Sequence, residues 1–137
     1  MLHPELSYRI YGFCFKIHNE LGRYRNEKQY ADALESVLKT NGVAYSREEL
    51  LPPSFKGEKS RRNIPDFIVE DKIVIDLKAK RLITKEDYYQ MKRYLVSCNK
   101  DLGIIVNFRE YYLKPKRVLN RTNRVFVDLN INSDLFG

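Results

Sequence analysis

Two acids and a lysine near the middle of the chain carry the clearest chemical signal. Asp66 follows Pro65, nine residues intervene, and Asp76-Leu77-Lys78 comes next. Asp76 sits within the apolar run Ile73-Val74-Ile75-Asp76-Leu77, where an aspartate is disfavoured. Side chains alternate across a strand, so Val74, Asp76, Lys78 and Lys80 share one face and Ile73, Ile75, Leu77 and Ala79 the other. Residues opposite each other in an antiparallel pair point to the same face. A three-residue loop, Glu70-Asp71-Lys72, pairs Val69 with Ile73 and therefore places Asp66 beside Asp76. Two carboxylates that close repel unless a cation sits between them. Their hard oxygens suit Mg²⁺ or Mn²⁺, which keep several waters and take phosphate oxygens as further ligands. An ion held there would polarise a phosphodiester oxygen and lower the pKa of a bound water. Lys78 would orient that water or neutralise charge developing on the phosphate. The same residues also fit a plainer arrangement, in which Asp76 and Lys78 form a surface ion pair and Asp66 is a turn residue after proline.

The elements that must position these groups follow from periodicity. Ile10, Phe13, Cys14, Ile17 and Leu21 recur at helical spacing from about Pro4 to Leu21, and Gly22 ends that helix. Asn26 caps a second helix bearing Glu27, Tyr30, Ala31, Leu34, Val37 and Leu38, stopped by Asn41-Gly42. That stripe turns Glu27 toward the sheet. An extended stretch follows from Val43 to Leu50, then a polar loop from Lys56 to Arg62. Ile64–Val69 and Ile73–Ala79 form the acidic hairpin. Thr84 with Asp87 opens a helix to about Cys98, with Tyr88, Met91, Leu95 and Cys98 as its stripe. Leu102–Phe108 reads as a strand buried on both faces. Val118–Leu119 and Val125–Leu129 are further short strand candidates. The order α-α-β-β-β-α-β with a strand-rich tail predicts an α/β domain with a mixed sheet flanked by helices, as one unit over residues 1–137.

Composition bounds the rest. The chain has 137 residues, 25 Lys+Arg against 18 Asp+Glu, and a net charge of +7, which points to a polyanionic partner. Neither an apolar membrane span nor a secretory signal is expected. Two cysteines, Cys14 and Cys98, read as reduced core residues of a cytoplasmic protein. With two histidines and two cysteines, a structural zinc site is excluded in practice. His18, alone near the end of an apolar helix, reads as structural and not as a general base.

Pro65-Asp66 with Asp76-Leu77-Lys78 resembles the core signature of the PD-(D/E)XK nuclease superfamily. Gln90 and Tyr94 are similar to the QxxxY element of its exonuclease branch. Glu27 matches the acid that the superfamily often supplies from its first core helix. More specifically, the chain resembles the small GxxExxY family, through Ile17–Gly22, Glu27-x-x-Tyr30 and Leu102–Phe108. It departs from that pattern at Tyr24, where the motif has glycine, and at Asp76, where the family usually has glutamate. The resemblance implies a restriction-endonuclease-like core and metal-dependent cleavage of nucleic acid, most readily DNA. Glu27, Asp66 and Asp76 would be metal ligands and Lys78 the catalytic cation. A module that keeps the fold and binds nucleic acid or protein without turnover is the competing reading.

Gln90 and Tyr94 lie four apart on one helical face, suited to orienting the ligands or touching a DNA phosphate, Tyr94 above all, or else to packing. Arg61, Arg62, Lys80 and Arg81 are candidate phosphate contacts. A further basic cluster spans Lys114, Lys116, Arg117, Arg121 and Arg124, and Tyr111-Tyr112 beside it suits stacking on unpaired bases. A homodimer is a further expectation, because so small a core leaves little surface for grasping a duplex.

Overall fold

In the computed structural model, the described residues are 1–120. The expected Val125–Leu129 strand, Arg121 and Arg124 lie outside them. Two helices come first, α1 (Pro4–Leu21) and α2 (Glu27–Thr40). Pro4 opens α1, where its missing N–H costs nothing. Asn26 opens α2 through a capping box: its side chain accepts from Gln29 N at 2.9 Å, and Gln29 Oε1 accepts from Asn26 N at 2.9 Å. The strands are β1 (Tyr45–Arg47), β2 (Phe67–Val69), β3 (Ile73–Lys78), β4 (Leu102–Asn107) and β5 (Lys116–Leu119), with α3 (Lys85–Cys98) between β3 and β4. They form one sheet in the order β1-β2-β3-β4-β5, parallel between β3 and β4 and antiparallel elsewhere. The parallel pair requires a crossover, which α3 supplies. This is the expected mixed sheet flanked by helices.

Both faces of the sheet are covered. Ile10, Ile17, Leu34 and Leu38 of the first two helices pack on Ile73, Ile75, Leu77, Ile104 and Val106. Met91 and Leu95 of α3 cover Val74, Ile105 and Val118 on the other side. The side of the sheet that carries Asp76 is therefore the α3 side. Gly103 lets this helix approach closely, since a Cβ there would lie 2.4 Å from Met91 Sδ. Cys14 is fully buried, which pushes its thiol up to about 12; Cys98 is half-buried, and neither is bridged. Among the described residues no helix is long and apolar enough to cross a membrane.

The hairpin register is the expected one, with Val69 opposite Ile73 and Phe67 opposite Ile75. Its β2 strand is shorter than Ile64–Val69, so Asp66 stands just outside the ladder. Glu70 and Asp71 both take left-handed backbone, φ 53° and 55°, in a turn closed by Lys72 N donating to Val69 O at 2.9 Å. Such a turn favours Asn-Gly over two acids. Glu70→Asn with Asp71→Gly is expected to stabilise the fold by about 1 kcal/mol in urea denaturation. The exposed Lys100–Asp71 pair that it removes contributes little. An unchanged or lowered midpoint would contradict the turn assignment.

Candidate active site

Asp66 and Asp76 meet at the end of the β2–β3 hairpin. Asp66 Oδ2 accepts a hydrogen bond from Leu77 N at 2.6 Å, which locks its carboxylate against the next strand. Burial, followed by the charge of Asp76, raises the Asp66 carboxyl from its ordinary 3.8 to about 7. The backbone bond from Leu77 opposes that shift without cancelling it. Asp76 is 5% exposed and forms an ion pair with Lys78, Oδ2 to Nζ at 2.8 Å. Lys78 Nζ also donates to Gln90 Oε1 at 2.8 Å, so one amine is shared between strand β3 and helix α3. Burial alone would lower the Lys78 pKa, but Asp76 and Asp87 more than offset it and hold the amine protonated. The plainer reading of a solvated surface pair does not describe a lysine this enclosed, its side chain 14% exposed.

Tyr94 lies one turn beyond Gln90 on the buried side of α3. Burial raises its hydroxyl above the ordinary tyrosine range, and the charges of Asp76 and Asp66 add to the shift. Tyr94 therefore stays a neutral O–H at ordinary pH.

Glu27 differs from expectation. It is exposed, as the first residue of α2, on the helix layer opposite α3. It shares with Asp66 a small cleft of about 170 Å³ that Lys28 and Arg47 also line, and its charge is felt at both Asp66 and Lys78. Among the described residues no group of three or more His, Cys, Asp or Glu side chains is arranged to hold a metal ion. What the structure brings together is two carboxylates, with a third acid at the edge of their cleft. That donor set still fits Mg²⁺ or Mn²⁺, which bind through one or two carboxylates and fill the remaining positions with water and phosphate oxygen. The repulsion that raises Asp66 is the strain a divalent cation relieves.

Two residues that periodicity did not single out for the site complete the surroundings. Asp87 accepts from Thr84 N at 2.7 Å and from Lys80 Nζ at 2.7 Å. Lys80, expected to meet phosphate, thus has its charge engaged in a structural ion pair. Asn107 donates from Nδ2 to Lys80 O at 2.6 Å, and its Oδ1 accepts from Lys80 N at 3.1 Å. This two-way bond fixes the backbone that leaves the site. A polar side chain ending the apolar run Leu102–Val106 was the available signal. Arg61 and Arg62 are exposed on the loop before β2. Arg81 is exposed too and lines a different cleft with Arg23, Arg109 and Lys114. His18 Nε2 meets Glu110 O at 2.8 Å, which supports its structural role.

The sheet and its lysine-clamped acid pair define the class: a nuclease-type α/β core with its polar site at the end of an acidic hairpin. The chain belongs to the PD-(D/E)XK nuclease superfamily, whose family model matches residues 4–122. No curated protein matches it significantly. Among solved structures it is similar to an alkaline exonuclease (LHK-Exo) from Laribacter hongkongensis. The TM-score is 0.52 at 13% sequence identity, over 79% of this chain and 60% of the exonuclease. That likeness speaks to the fold, and this chain spans less than two thirds of the exonuclease's length.

Proposed function

We propose that the protein is a Mg²⁺- or Mn²⁺-dependent nuclease that hydrolyses phosphodiester bonds of DNA. Asp66 and Asp76 would hold the ion, with Glu27 supplying a third oxygen from the edge of the cleft. When bound, such an ion supplies Lewis-acid polarisation of a phosphodiester oxygen and a water of lowered pKa. The chain's own groups do the rest. Lys78 holds a positive charge fixed by Asp76 and Gln90, ready where anionic charge develops on the phosphate. Gln90 positions that amine and does not touch the reacting atoms. Tyr94 offers a neutral donor beside the acids. Asn107 and Asp87 keep the segment after Lys78 from shifting. The clamped lysine beside two mutually repelling acids is the observation that carries the reading.

Within the superfamily we place the chain in the GxxExxY branch, on Glu27, Tyr30 and the acidic hairpin. The reading further places the protein in the cytoplasm, with DNA as partner and a second copy of the chain helping to grip a duplex. Its test is cleavage of labelled single- and double-stranded DNA with Mg²⁺, with Mn²⁺ and with EDTA. Cleavage that needs the metal and stops on chelation is expected. Cleavage indifferent to EDTA would remove the metal from the mechanism. Salt-sensitive binding without cleavage in either metal would favour a silent binding module.

A further inference from the structure

Around Arg23 and Arg109 lies a surface that the cleavage chemistry does not use. Arg23 and Arg109 cross-bond: Arg23 Nε donates to Arg109 O at 2.9 Å, and Arg109 Nε to Arg23 O at 2.7 Å. Both guanidinium groups sit 5.4 Å from the Tyr24 ring centre, and Arg23 lies 5.5 Å from that of Tyr111. Arg81 and Lys114 join them around a cleft of about 550 Å³, four cations against the single acid Glu110. Tyr111 and Tyr112 stand edge to face at 4.8 Å on its rim and are 68% and 73% exposed. Tyrosines so exposed contribute little to any core.

The cleft shares lining residues with its neighbours. Arg109 also borders a second cleft, of about 540 Å³, which runs past Tyr24 to Glu27 and Ala79. Glu27 in turn borders the small cleft that contains Asp66. Shared lining residues thus link the three clefts in the order Tyr112, Arg109, Glu27 and Asp66.

We infer that this cleft receives single-stranded nucleic acid, with phosphates on the arginines and lysine and unpaired bases stacked on Tyr112 and Tyr111. The inference rests on the nuclease reading for its direction toward the acids and names the substrate form that reading leaves open. Four cations recognise a polyphosphate backbone. Exposed tyrosine rings add a second requirement, because only a strand with unpaired bases offers π-faces to them. A blunt duplex keeps those faces within its own stack.

The test is fluorescence anisotropy of the full chain in EDTA, where binding is read without cleavage. The probes are a labelled oligo-dT strand, its RNA counterpart, a blunt duplex of equal length, and an abasic strand with the same phosphates. At least one single strand with bases is expected to bind about tenfold more tightly than the duplex. Tyr112→Ala and Tyr111→Ala should each weaken that binding about tenfold and leave duplex binding unchanged, while Tyr112→Phe retains it. Both tyrosines are exposed, so folding is not at stake. Equal binding of duplex and single strands would overturn the inference, as would an abasic strand that binds as tightly as one with bases. If the duplex is cut with Mg²⁺ while single strands show no preference, the nuclease reading stands and this one falls.

Discussion

The Asp76→Asn protein will bind DNA in the absence of metal at least as tightly as the wild type, yet cut it on the order of 10³-fold more slowly. The magnitude follows from the ligand role proposed for Asp76: groups that merely orient metal ligands are worth 10–100-fold, and a direct ligand is worth more. The asparagine keeps an oxygen to accept from Lys78, removes one of two mutually repelling charges and leaves Asp87 3.9 Å from the lysine, so the variant should lose less stability than one lacking the lysine. One negative charge fewer beside the cleft favours a phosphate backbone. Lys78→Met provides the contrast. It should lose about 10²–10³-fold in rate and also about 3 kcal/mol of stability, because Asp76 is left buried without its counter-charge. Single-turnover cleavage together with urea denaturation separates the two. Cleavage close to wild type in Asp76→Asn would remove this carboxylate from the chemistry altogether.

The second large effect concerns Asp66 and is read in stability. Its carboxyl is at about 7 in the fold against 3.8 ordinarily. Below the lower value it is protonated in both the folded and unfolded chain and costs nothing. Between the two values the unfolded chain has released a proton that the folded one retains, so stability falls as pH rises. Above about 7 the whole cost is present. Asp66→Asn, which still accepts from Leu77 N, should therefore leave stability unchanged near pH 4 and raise it by about 1–3 kcal/mol at pH 8 in EDTA. Adding Mg²⁺ at pH 8 should raise the melting temperature of the wild type and not that of the variant, since only the wild type retains both acids. A destabilised Asp66→Asn at pH 8 would show that the charge pair is not strained.

The acidic hairpin was legible because its logic is local. A three-residue loop and strict alternation leave one register that buries Phe67, Val69, Ile73, Ile75 and Leu77, and that register joins the two aspartates. Gln90 was legible in the same way, four residues from Tyr94 on one face. Glu27 misled because a helical stripe predicts burial only where a helix overlies the sheet, and this residue is the first of α2. Lys80 misled because alternation gives its face and says nothing of Asp87 waiting there. The Asn107 bond and the Arg23–Arg109 cross-bond join positions 27 and 86 residues apart. No periodicity in either segment encodes a partner that distant.

Neighbouring strands of the sheet are also consecutive in the chain. A ribosome therefore releases the sheet in the order of its assembly, from one edge to the other. Asp66, Asp76 and Lys78 emerge together on the hairpin, and the amide of Gln90 that fixes the lysine follows twelve residues later. Until β4 arrives, one edge of β3 has no partner and the backbone after Lys78 lacks the Asn107 tether. An unfinished chain thus carries the acids without the geometry that would let them act. The clamped arrangement of these groups is complete only once β4 has joined the sheet.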